Sequence, residues 1–290
     1  MKKIKDILFG VLGGILAGML VLLAFSSVSA ISNEQKILSI RPLPSAPLTQ
    51  NNSVDDVLTL MLESDQKWDT MVADYVLSTK DSENVDQIYQ EDQKFWLSKK
   101  GEWARVEIST DGTPLIVFVR DASTLNQENK KYKVYFNENI SDVFLYNDFN
   151  PRQLLLDTGP AVIYLHPYGK ALPTGYYDFL YPTAIAQSMI SHRAEGIEDI
   201  QIVGEDEIAG RKVVVISRMP KNHLYWVDAV TGVVLRVQYI GNFDSWQVQF
   251  EVQNISFDEH IPGSVFQFLP DKDSRKVDPV EYRNLPNEGR

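Results

Sequence analysis

Apolar positions recur along this chain with three different periods. Ile7 to Phe25 is an unbroken apolar run behind Lys2, Lys3 and Lys5, long enough to cross a bilayer. Ser26-Ser27-Val28-Ser29-Ala30 follows, with Val28 and Ala30 placed as at the −3 and −1 positions of a signal-peptidase site. Residues 1–30 therefore read either as a signal peptide cleaved after Ala30 or as a retained single-span membrane anchor. Both readings put the rest of the chain outside the cytoplasm, in the periplasm or on the outer face of the cytoplasmic membrane. Residues 31–53, with Pro42, Pro44 and Pro47 among small and polar residues, read as an extended linker. A helical period then begins. Ser53 is an N-cap with Asp56 at N3, and Val54, Val57, Leu58, Met61 and Leu62 form one stripe.

From Met71 the period becomes two. Met71, Ala73, Tyr75 and Leu77 alternate with Val72, Asp74, Val76 and Ser78, and strands are expected at 88–98, 103–109, 115–120 and 131–136. Turns at Lys99-Lys100-Gly101 and Asp111-Gly112 make these an antiparallel meander. Asn150-Pro151 opens a short expected helix at 152–157. Residues 159–182 then form a loop whose Tyr164, Tyr168, Tyr176, Tyr177 and Phe179 would serve as a lid or contact surface, or else simply cover the sheet edge. A second helix is expected over 183–192. The last third returns to strands at 197–208, 212–218, 223–228 and 233–240. The next strand, 246–254, alternates strictly, with Trp246, Val248, Phe250 and Val252 on one side and Gln247, Gln249, Glu251 and Gln253 on the other. Residues 271–290 show no period and read as a polar C-terminal tail. The sum is an α+β, mostly β fold: a large curved antiparallel sheet with short helices on one side, an arrangement that tends to enclose a cavity.

Composition narrows the function. Of 290 residues, 44% are hydrophobic and 11% aromatic, enough for a substantial core. The net charge of −11, with no clustering of Lys and Arg, argues against nucleic acid as a partner. The absence of cysteine excludes disulfides, thiolate catalysis, Cys-based zinc sites and a lipid carried on an N-terminal cysteine. His166, His192, His223 and His260 are scattered without metal-site spacing, and Glu205-Asp206-Glu207 reads as a solvated acidic tip. Asp271 and Asp273 lack the glycine and distal Glu of a calcium loop. No Gly-x-Ser-x-Gly elbow is present and no Ser/His/Asp trio stands out. The expectation is a non-enzyme, without metal or cofactor.

Four segments carry a resemblance. Val203-Gly204-Glu205-Asp206-Glu207-Ile208-Ala209-Gly210-Arg211-Lys212 resembles a "GxExxxGR" hairpin. Tyr225-Trp226-Val227-Asp228 with Thr231-Gly232-Val233-Val234-Leu235-Arg236 is similar to a "WvDxxtGlplr" hairpin. Ile255-Ser256-Phe257 with Ile261-Pro262-Gly263-Ser264-Val265-Phe266-Gln267-Phe268 looks like an "f…iPdslFxF" signature. Lys94 to Lys100 with Trp103-Ala104-Arg105-Val106-Glu107 resembles "vwvkrPdkfRvE". Taken in chain order, with the segment at 94–107 first, these segments across residues 54–270 resemble the LolA/RseB-like outer-membrane lipoprotein-sorting superfamily. The resemblance implies a half-open β-barrel with helices over its concave apolar face. It also implies binding of lipid or lipoprotein acyl chains, either to ferry them or, as in RseB, to regulate a membrane protein partner of the anti-sigma-factor type. Lys100-Gly101 stands where the family's Arg-Pro pair would sit, which puts a carrier-type lid latch at that position in doubt.

On this reading the hydrophobic ligand cavity is lined by Val106, Ile108, Val233, Leu235, Val237, Trp246, Val248, Phe250 and Val252. The plainer alternative is that these residues fill an ordinary core. A monomer is expected.

Overall fold

The computed structural model of the protein describes residues 46–80, 88–98, 103–120, 124–139, 180, 182–220, 222–240, 247–283 and 285. The apolar run at the N-terminus, the expected helix at 152–157, the aromatic loop apart from Leu180 and Pro182, Trp246 and His166 lie outside these residues.

Chain order begins with helix α1 (Val54–Leu62). The Ser53 side chain accepts from the Asp56 backbone N–H while Asp56 accepts from the Ser53 N–H, a complete capping box of the kind the sequence pattern predicts. Strands β1 (Thr70–Lys80), β2 (Ile88–Ser98), β3 (Trp103–Thr110), β4 (Thr113–Arg120), β5 (Thr124–Asn129) and β6 (Val134–Asn139) form the first meander. Helix α2 (Thr183–Ala194) follows. The second meander is β7 (Asp199–Ile208), β8 (Arg211–Met219), β9 (His223–Asp228), β10 (Val234–Ile240) and β11 (Gln247–Phe257). The two-residue turns Asp111-Gly112 and Ala209-Gly210 all have positive φ, as tight hairpins require.

The two meanders join through antiparallel pairing of β1 with β11. The result is one curved, unclosed twelve-stranded sheet of order β12-β6-β5-β4-β3-β2-β1-β11-β10-β9-β8-β7, where β12 is Arg275–Lys276. Register shifts in the β1–β11, β3–β4, β7–β8 and β9–β10 pairings mark bulges, which bend the strands that carry them. This is the mostly β, half-open architecture with few helices that the sequence pattern leads one to expect.

Three local differences from the sequence pattern follow from packing and turn formation. Residues 124–129, Thr-Leu-Asn-Gln-Glu-Asn, form β5 although they carry almost no apolar alternation; the ladder to β4 and β6 holds them in place. Lys131–Lys133, taken from sequence as the start of a strand, instead belong to the turn between β5 and β6. The segment expected as a polar tail contains β12, parallel to β6, and the one-turn helix α3 (Pro279–Arg283). Its Val277 and Tyr282 bury against Val134 and Phe136, a small core separate from the main one. On the outer face, Phe266 meets Trp103, Phe268 meets Tyr135, and Arg105 donates to the Val265 carbonyl.

The main core lies on the inner face, where α1, α2, Leu48, Trp68 and Leu180 share one cluster with inward residues of β1–β4 and β7–β11. Gly232 shows how closely α1 sits. A Cβ there would lie 2.4 Å from the Leu60 carbonyl oxygen, and its φ is +76°.

Candidate functional site

Cross-strand register sorts the inner face into rows. One row runs Phe118, Val106, Phe95 and Ala73, and the next runs Ile116, Ile108, Gln93, Tyr75 and Val252. A third runs Glu91, Leu77, Phe250, Val237, Tyr225 and Ile216. The fourth runs Tyr89, Thr79, Val248, Tyr239, His223 and Arg218.

Burial changes along every central strand in the same direction. On β1, Met71, Ala73 and Tyr75 are buried while Leu77 and Thr79 are half-buried. On β11, Val252 and Phe250 are buried and Val248 is half-buried; on β10, Val237 is buried and Tyr239 half-buried. On β2, Leu97, Phe95 and Gln93 are buried, Glu91 is half-buried and Tyr89 is 57% exposed. The apolar inner face is therefore sealed at one end and reaches solvent at the other, over β10, β11, β1 and β2.

Next to that open rim, over β8, helix α2 is fastened by a polar clasp. Arg218 donates through Nε to Glu198 and through Nη2 to Ser188 Oγ at 3.1 Å, and it meets His192 Nδ1 at 3.0 Å. His192 also approaches Glu198 Oε1 at 3.1 Å. Tyr225, whose phenol burial pushes up while Arg218 opposes the shift, stacks edge-on beside His223 and Tyr239. The sequence doubt about a latch at Lys100-Gly101 thus meets a tie placed elsewhere, on β8. The clasp uses His192, His223 packs beside Tyr225 and Tyr239, and His260 is exposed. Among the described residues no group of three or more His, Asp or Glu could hold a metal ion.

The "GxExxxGR" and "WvDxxtGlplr" segments are locked together. The buried Asp228 carboxylate accepts from Arg211, from the backbone of Val230 and Thr231, and from Thr231 Oγ1. The acidic tip is less idle than its composition suggests: Asp206 accepts from Trp226 Nε1 at 3.0 Å, and Glu205 from the Gln50 backbone.

Of the sequence-expected cavity residues, Val106, Ile108, Leu235, Val237, Phe250 and Val252 fall in the main core cluster and are buried. Val233 belongs to the same cluster beside Gly232. Val248 alone among those described sits at the half-exposed rim. Sequence reasoning missed Tyr75, Leu77, Tyr239, Gln93 and Glu91. The available signal was the inward phase of β2, where polar Glu91 and Gln93 continue the phase of Phe95 and Leu97.

Tyr75 lies between rings, stacked on Phe250 at 4.3 Å and edge-on to Phe95 at 5.6 Å. Burial raises its phenol well above the ordinary tyrosine value, so the hydroxyl keeps its proton and is a donor. Among the described residues no helix is long and apolar enough to cross a membrane.

No family model matches the chain, and no curated protein does. Solved structures with a similar fold include MucB, also solved in complex with MucA(peri), at 14% identity and a TM-score of 0.41. That match covers 75% of this chain and 64% of MucB, so the chain spans less than two thirds of MucB's length. The Mycobacterium tuberculosis lipoprotein LppX is similar at 12% identity and a TM-score of 0.37, over 72% of this chain and 99% of LppX. A LolA superfamily protein from Nitrosomonas europaea is similar at 10% identity and a TM-score of 0.29, over 76% of this chain and 98% of its own.

Proposed function

We propose that this protein is an extracytoplasmic binding protein, not an enzyme, that takes a hydrocarbon chain onto the inner face of its half-barrel as a lipoprotein carrier does. The observation that carries this reading is the burial gradient: an apolar face roofed by two helices emerges at a rim of Leu77, Val248, Tyr239 and Tyr89. Each methylene withdrawn from water there contributes about 0.8 kcal/mol, so a chain is held without polar recognition. The order of the four LolA/RseB-like segments supports the same reading. A second reading, an RseB-like sensor engaging a membrane protein partner, draws on that resemblance and on an N-terminal apolar run suited to tethering.

The test is titration of the full chain with a fluorescent hydrocarbon-chain probe. Leu77→Asp and Val248→Asp each place a charge at the rim and are expected to weaken binding about tenfold, because burying an unpaired charge is costly. Unfolding midpoints should hold, since both positions are half-buried. Wild-type protein that ignores the probe would overturn the reading.

A further inference from the structure

Two polar atoms on the inner face have no role in the packing described above. Tyr75 and Gln93 are direct cross-strand neighbours on β1 and β2, each 1% exposed. Among the described residues neither Tyr75 Oη nor Gln93 Oε1 meets a hydrogen-bond partner. Leaving such groups buried and unsatisfied is expensive, so a protein that keeps a neighbouring pair of them invites an occupant that satisfies both.

Their chemistry is complementary. The phenol, held neutral by burial, offers a hydrogen to a carbonyl. The Gln93 amide nitrogen already donates to Glu91 Oε1, so the orphaned oxygen needs an N–H or O–H donor. Position matters as much. The pair stands one row inside the rim, level with Val252, with Ala73, Phe95, Leu97 and Val106 deeper in and half-buried Glu91 followed by exposed Tyr89 further out. Hydrocarbon therefore belongs beyond the pair, and the head of the molecule belongs at Glu91, whose carboxylate disfavours an anionic head.

We infer that Tyr75 and Gln93 form a polar recognition point for the amide linkage of an N-acyl amphiphile with a neutral or cationic head. Tyr75 donates to the amide carbonyl, Gln93 accepts from the amide N–H, and the acyl tail lies on the sealed end of the face. This inference rests on the hydrocarbon-binding reading and adds ligand class to it.

The test uses three probes of equal chain length, measured by displacement of a fluorescent hydrocarbon from the full chain: N-(2-hydroxyethyl)palmitamide, 2-hydroxyethyl palmitate and hexadecane. The amide and ester differ only in N–H against O. One buried hydrogen bond corresponds to roughly tenfold in affinity, so the amide should bind about that much more tightly than the ester. Gln93→Leu, or Gln93→Met if the leucine variant does not fold, should erase the amide-over-ester preference and leave ester and hexadecane binding unchanged. Tyr75→Phe should weaken amide and ester together and leave hexadecane unchanged. Equal binding of amide and ester, or a preference that survives both substitutions, would overturn the polar recognition point while the hydrocarbon-binding reading stands. Failure of all three probes on the wild-type protein would overturn both.

Discussion

Breaking the clasp that holds α2 to the sheet should cost far more than its surface ion pairs suggest. Glu198 and Arg218 have side-chain exposures of 1% and 8%, and Ser188 and His192 extend the pair onto the helix. Removing one partner of a buried ion pair leaves a charge without compensation, at about 3–5 kcal/mol. Glu198→Gln keeps the shape and removes the charge, so the loss it causes is electrostatic. For a chain of this size that corresponds to a drop in unfolding temperature of roughly 6–20 °C. Replacing both partners, Glu198→Leu with Arg218→Met, should recover most of the loss, because a buried pair exchanged for apolar groups of similar volume is close to neutral. The assay is a double-mutant cycle by chemical denaturation, with amide hydrogen exchange along 183–194 as the local readout. A large positive coupling with faster exchange in the single variants is expected. Equal losses in the single and double variants would refute the reasoning and reduce the clasp to a surface contact.

Gly232→Ala should destabilise by about 2 kcal/mol or more, from its left-handed backbone together with the 2.4 Å approach to the Leu60 carbonyl, and thermal unfolding checks it. Ser53→Ala removes one half of the capping box and should cost about 1 kcal/mol in the same assay. The Tyr75 phenol is raised above its ordinary value of 10.0 by burial, so its stability contribution is complete below that pH. It is lost as the unfolded chain ionises while the folded one stays protonated. Denaturation between pH 9 and 11 should show stability falling with a slope approaching 1.4 kcal/mol per pH unit for each such group. Tyr75→Phe should flatten that slope, leaving the part due to Tyr225, which burial also raises.

The parts of this fold legible in sequence were those where one face is buried and the other wet. β11 alternates as expected through Val248, Phe250 and Val252, and the Gln253 bulge opposite Asp74 and Tyr75 then hands the inward phase to Ile255 and Phe257. Bulges of that kind carry no sequence signal. β5 was invisible because it is held by its neighbours in the ladder, and α3 because one turn is too short to show a period. The candidate site was legible as an apolar face but not as a rim. Which end is roofed depends on helices brought from residues 54–62 and 183–194, and no local pattern encodes that. Gln93 could be seen as a polar residue in an inward phase, yet its meaning depends on Tyr75, which lies opposite only once β1 and β2 are paired.

Native mass spectrometry of the full chain, purified without detergent from a membrane-containing host, tests hydrocarbon binding most directly. The wild-type protein should carry an adduct with the mass of a single-chain or double-chain amphiphile, released by organic solvent. Leu77→Asp with Val248→Asp should lose it at an unchanged unfolding midpoint. Folded wild-type protein that shows only its own mass, and still does so after incubation with long-chain amphiphiles, would contradict a binding role for the inner face.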